Sequence, residues 1–218
     1  MLSVRFSKSI VDNYNFIEQD FKKTRFYLEW TPDNFMAVSS AFEELLLNIG
    51  DEFSSYITRF VSMYHIKEKV YFYDFIKCIT EQCNCLFFRG VSIKDVDLII
   101  FPFLNLDEKH KWCPPDWWSK YNKLKHNKYS KEKVYVSLKD TMCALASLAL
   151  VNKCILFESC PNILNLTLSE YKICNQKINS GLFDIYEDRL YYFKSKYYLL
   201  NQDKYVTEEE LDEFKRSF

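Results

Sequence analysis

The chain has 218 residues, 48% of them hydrophobic, and a formal net charge of −1. That suffices for one core of ordinary size, and 3 glycines with 5 prolines exclude collagen-like and low-complexity chains. The near-neutral charge excludes a globally basic nucleic-acid binder, and neither a G-x-G-x-x-G nor a G-x-x-x-x-G-K-[ST] phosphate loop is present.

The opening residues lack the apolar stretch of a signal peptide, and no run of about 18 apolar residues occurs, so a cytoplasmic protein without a membrane span is expected. In that compartment the 8 cysteines are expected as reduced thiols. Cys78, Cys83 and Cys85 form C-x4-C-x-C, which is not zinc-knuckle spacing, and no metal or cofactor is expected.

Thr31-Pro32-Asp33-Asn34 carries a helix-start pattern. From Phe35 the apolar residues Val38, Phe42, Leu45, Leu46, Ile49, Phe53, Tyr56, Ile57 and Phe60 recur at helical spacing, predicting a long helix to about Tyr64. Gly50 inside it costs about 1 kcal/mol against Ala, which points to a bend or a close helix crossing. A second helix is predicted over 70–82, and Gly90 breaks the chain. Residues 96–101 fit a short helix or a strand equally, with Pro102 closing the segment. Residues 104–115 read as a loop. Asp116 is then expected to cap a helix over 117–127, and Ser137-Leu138-Lys139-Asp140 to open an apolar helix through Phe157.

Beyond Pro161 the composition changes. Short aromatic runs within 182–200 suggest a small antiparallel sheet, and Thr207-Glu208-Glu209-Glu210 starts a short terminal helix. The expected fold is mainly α: a helical bundle over 1–165, with a C-terminal appendage over 166–218 packed on it.

The chemistry concentrates in 117–129. As a helix, this segment places Trp118, Asn122 and His126 at four-residue steps on one face, with Lys125 beside them. Across 108–133, eight lysines face three carboxylates, a net charge of +5 in a chain whose total is −1. Such a patch can meet phosphates, and its aromatics can stack bases. The same residues also suit a solvated lysine face whose tryptophans anchor the helix. Imidazole is the natural proton shuttle near neutral pH, which singles out His126 among the 3 histidines.

Trp117-Trp118-x-x-Tyr121-Asn122-x-Leu124-Lys125-His126 resembles the W-W-x-x-Y-N-x-[hydrophobic]-K-H signature of a widespread set of bacterial helical proteins, itself similar to the HEPN superfamily. The resemblance extends to the acidic pair Asp51-Glu52 in the upstream long helix and to the downstream apolar helix. It implies a bundle of about four or five helices, often paired as a homodimer.

Many HEPN proteins are metal-independent ribonucleases of phage-defence and toxin–antitoxin systems. Their motif is Arg, a polar residue, three further residues and His. Asn122 and His126 match it, whereas Tyr121 stands at the Arg position and Lys120 precedes it. The resemblance therefore implies His126, Asn122 and Lys120 as catalytic residues of an endoribonuclease or RNA-binding protein. It further implies Lys123, Lys125, Lys128, Tyr121 and Trp118 on RNA, and Asp51 and Glu52 orienting the basic groups. Two protomers, and a protein partner such as an antitoxin, are expected with it. The alternative is a non-catalytic helical interaction module that uses the same segment as a packing or dimer interface.

Overall fold

The computed structural model describes residues 4–82, 90–93, 98–103, 114–126, 133–158, 182–185, 197–199 and 204–206. The fold is mainly α with a small sheet. Its helices are α1 (Val4–Lys22), α2 (Ser40–Tyr64), α3 (Phe72–Gln82), α4 (Asp116–His126) and α5 (Leu138–Glu158). No helix among the described residues is long and apolar enough to cross a membrane.

The long helix begins later than its sequence pattern suggests. Pro32–Asn34 forms only a short 3-10 turn, and Thr31 gives it no side-chain cap. Residues 35–38 then run alongside the entry to α5. Leu138 N–H donates to Ala37 O at 3.0 Å, Lys139 N–H to Phe35 O at 3.0 Å, and Val38 bridges Ser137. These bonds keep the chain out of the helix until Ser39, whose hydroxyl accepts from Ala41 N–H at 3.2 Å and caps α2. Helices α2 and α5 therefore start at the same end of the molecule.

Helix α5 is the centre. Leu138, Met142, Leu145, Ala146, Leu148 and Val151 are all buried, so apolar residues surround its axis. It packs against α1, α2 and α4. Helix α2 buries one stripe, including Phe42, Leu46, Ile49, Phe53, Ile57 and Phe60, at three- and four-residue steps. Helix α1 does the same with Ile10, Tyr14, Ile17 and Phe21.

Among the described residues the sheet has five strands in the order β3 (Phe183–Ile185), β1 (Val91–Ile93), β2 (Leu98–Ile100), β4 (Tyr197–Leu199) and β5 (Lys204–Val206). It is mixed rather than wholly antiparallel, because β2 and β4 run parallel, with Leu98 opposite Tyr198. Within the segment 96–101, Leu98–Ile100 thus forms a strand, and residues 96 and 97 lie outside the described residues. Two strands lie before residue 165 and three after it, so chain from both sides of that point is hydrogen-bonded into one sheet. Glu18, buried on α1, accepts from Leu182 N–H at 2.9 Å at the entry to β3. The terminal helix expected from Thr207 lies outside the described residues.

Candidate functional site

Helix α4 forms where expected but begins one residue earlier, with Asp116 in its first turn rather than capping it: Pro115 O accepts from Trp118 N–H at 2.9 Å and from Ser119 N–H at 3.2 Å. Its apolar side enters an aromatic cluster. Trp117 is buried edge-on to Phe53 at 5.1 Å between centroids. Trp118, half-buried, packs on Phe72 at 5.0 Å and on Tyr121 at 5.1 Å. Leu124 is half-buried against the same core.

Tyr121 lies flat on Gly50 of α2. A Cβ at Gly50 would come within 2.5 Å of Cγ and Cε2 of the ring, so only glycine admits this crossing. Gly50 marks a close helix approach, one of the two roles its sequence position suggests.

The crossing brings the next residue, Asp51, to the tip of the ring. Asp51 Oδ1 accepts from the Tyr121 hydroxyl at 2.7 Å and from Lys125 Nζ at 2.7 Å. Lys125 Nζ also donates to the Tyr121 hydroxyl oxygen at 2.7 Å, closing a ring of three groups. Partial burial pushes the Asp51 carboxyl up, but the bonds from Lys125 and Tyr121 outweigh it and hold the group below the usual carboxylate range. The same bonds from Asp51 and Tyr121 raise Lys125, while burial, reinforced by Asp51, raises the Tyr121 phenol. At neutral pH the result is a carboxylate, a neutral phenol and an ammonium.

Glu52 turns to another neighbour, as its place one residue further round the helix requires. Its Oε1 accepts from Asn13 Nδ2 of α1 at 2.9 Å. Burial, then the charge and hydrogen bond of Glu52, raises the Tyr56 phenol. Of the acidic pair, Asp51 therefore contacts the basic groups of α4, while Glu52 is engaged with α1.

Lys120 reaches in the opposite direction. Its Nζ donates to Asp140 Oδ2 at 2.6 Å. The same oxygen accepts from Ser137 N–H at 2.8 Å and from the Ser137 hydroxyl at 2.6 Å, and Asp140 N–H returns a bond to Ser137 Oγ at 3.2 Å. This is a capping box at the start of α5, with Asp in the usual Glu position. Ser137 and Asp140 are legible in the sequence as a helix start. Their hold on Lys120 has no local signal.

Asn122 is half-buried, and its Nδ2 donates to Trp118 O at 3.0 Å, one turn back along its own helix. The second N–H and the carboxamide oxygen are not used in that bond. Lys123 and His126 are exposed. Lys128 lies outside the described residues. The helix thus brings Tyr121 and Lys125 together with Asp51, ties Asn122 back to Trp118, keeps His126 at its outer end, and sends Lys120 to the start of α5.

Cys78 is buried and Cys143 half-buried; Cys83 and Cys85 lie outside the described residues. Among the described residues no group of His, Cys, Asp and Glu has the arrangement of a metal site. Comparison with models of known families, with curated proteins and with solved structures returned no match.

Proposed function

We propose that the chain is an RNA-binding helical protein, HEPN-like in its α4 signature, that holds RNA without cleaving it. One observation carries this reading. Lys120 and Lys125, two cations that phosphoryl-transfer chemistry would call on, are neutralised by Asp140 and Asp51, whereas Lys123 and His126 remain exposed.

Attack of a ribose hydroxyl on phosphorus needs a proton acceptor and an uncompensated cation beside the developing charge. Tyr121 carries no charge where the family motif has Arg, and the two lysines are held by carboxylates. Binding demands less. It needs excess positive charge, and the sequence of residues 108–133 still carries a net +3 once Asp140 and Asp51 are set against Lys120 and Lys125.

The test is fluorescence anisotropy with a labelled single-stranded oligoribonucleotide across a salt series, alongside incubation of the same RNA in EDTA. Salt-sensitive binding, weakened by Lys123→Glu and leaving the RNA intact, is expected. Cleavage by the wild type that His126→Ala abolishes would replace this reading with a ribonuclease. The exposure of His126 one turn from Asn122 favours that second reading. Failure to bind RNA at any salt would leave a protein-interaction module.

A further inference from the structure

We infer that Lys125 is a phosphodiester-binding group held in reserve, and that Asp51 is the internal anion an RNA phosphate displaces from it. The inference deepens the RNA-binding proposal and rests on it.

Asp51 Oδ1 sits where two donors converge, the Lys125 ammonium at 2.7 Å and the Tyr121 hydroxyl at 2.7 Å. A non-bridging phosphate oxygen is an acceptor of the same kind and charge sign, and charge-assisted bonds of this length are what it forms with ammonium groups. Replacing the carboxylate by a phosphate oxygen leaves Lys125 paired. The released Asp51 then needs only water, and it is positioned to take it, because its side chain is 61% exposed and that of Lys125 is 42% exposed. An ion pair so placed contributes little to stability and exchanges readily.

The second donor stays in place throughout. The Tyr121 ring is clamped between Gly50 and Trp118, so its hydroxyl is already aimed when the carboxylate leaves. Lys120 has no such freedom. Its partner Asp140 is 9% exposed and is bound at the same time by Ser137. One lysine is therefore structural and the other exchangeable, although both form short ion pairs. His126, exposed, directly follows Lys125 at the outer end of α4, so a backbone reaching Lys125 passes close to it, while Lys123, two residues before Lys125, stands on the other side of the helix.

Removing the competitor should tighten RNA binding. In anisotropy titrations with a labelled single-stranded oligoribonucleotide, Asp51→Asn is expected to bind about two- to fivefold more tightly than wild type. The slope of log affinity against log salt should steepen by about one, reporting one more phosphate contact. Glu44→Gln, which removes one negative charge from exposed α2 surface about two turns away, controls for net charge and should give a smaller gain. Lys125→Ala in the Asp51→Asn background should abolish the gain. Asp51→Ser, which keeps a hydroxyl to accept from Tyr121, repeats the test should Asn perturb folding, checked by circular dichroism. A gain no larger than that of Glu44→Gln, or one that survives loss of Lys125, overturns the inference while leaving RNA binding intact. Absence of salt-sensitive binding in both wild type and Asp51→Asn overturns the RNA-binding proposal and this inference with it.

Discussion

The ring of Tyr121 occupies the space that a side chain at Gly50 would need, so α4 crosses α2 at the one position along the long helix where no Cβ stands in the way. Gly50→Ala sets two effects against each other. Helix propensity gains about 1 kcal/mol, while overpacking costs about 1–3 kcal/mol because the ring cannot slide away. Trp118 on one side and the bond to Asp51 on the other keep it in place. The expected net effect is a loss of about 1 kcal/mol, read from urea unfolding. In a Tyr121→Ala background the overpacking vanishes and the same substitution should become stabilising, so the sign of the effect reverses.

Tyr121 sits too deep for a charged residue to take its place without cost. Its side chain is 1% exposed. Tyr121→Phe removes only the hydroxyl, and Asp51 keeps Lys125, so a loss of about 1 kcal/mol is expected. Tyr121→Arg places a guanidinium on Gly50 among Trp118 and Phe53, and should cost about 3 kcal/mol or more even though Asp51 lies within reach. Thermal denaturation of the two variants orders them; an Arg variant as stable as the Phe variant would show that the ring seat is unimportant.

The parts of this arrangement differ in how visible they are in the sequence. The stripe from Phe42 to Phe60 announces α2, and the four-step spacing of Trp118, Asn122 and His126 announces the face of α4, because both are local periodicities. Ile10, Tyr14, Ile17 and Phe21 form the same kind of stripe, yet α1 is absent from the elements expected, although its pattern was readable. Strands of three residues leave almost no period-2 trace, so β1 and β5 had no usable signal. The site's electrostatics were the least visible. Lys125 finds Asp51 across 74 residues of sequence and Lys120 finds Asp140 across 20, and no local pattern encodes either pairing.

Asp140 joins two helices through one oxygen, which makes it less replaceable than Lys120. Asp140→Ala loses the capping box of α5 and leaves the Lys120 ammonium, 32% exposed, without its carboxylate. A loss of about 2–4 kcal/mol is expected from a cap and a part-buried pair together. Lys120→Ala leaves Asp140 bonded to Ser137 N–H and hydroxyl, and should cost less than half as much. Chemical denaturation of the two variants gives the comparison. RNA affinity should be nearly unchanged in Lys120→Ala, in contrast to Lys123→Glu.

Acid should lower the protein's stability slightly through Asp51. Its carboxyl is depressed in the folded state relative to an ordinary value near 3.9, so the stability it contributes is present above that pH and is lost as pH falls through the lower folded value. Asp74 behaves alike. Burial raises it, but the bonds from Lys67 and from Tyr71 N–H bring it down. Lys125 is raised, so its contribution persists below its ordinary value near 10.4 and disappears only as pH climbs through the folded one. Stability is expected to fall below about pH 4. Asp51→Asn, with no carboxyl to protonate there, should show a shallower acid limb in melting temperature against pH. An identical limb would mean that Asp51 titrates alike in both states.

Asn152 offers a stabilising change away from α4. It lies on α5 with 3% exposure, and among the described residues neither its Nδ2 nor its Oδ1 has a hydrogen-bond partner. An amide stripped of water without a replacement bond costs about 1–3 kcal/mol, and an apolar side chain of similar volume avoids that cost. Leu is close in size and suits a helix whose buried neighbours are Leu148, Leu150 and Val151. Asn152→Leu should therefore raise the unfolding free energy by about 1–2 kcal/mol in urea titration. Asn152→Asp, which buries an unpaired charge in the same place, should lower it by more than that. Destabilisation by Leu would instead reveal a bound water or partner group on the carboxamide, since only a satisfied amide is missed when removed.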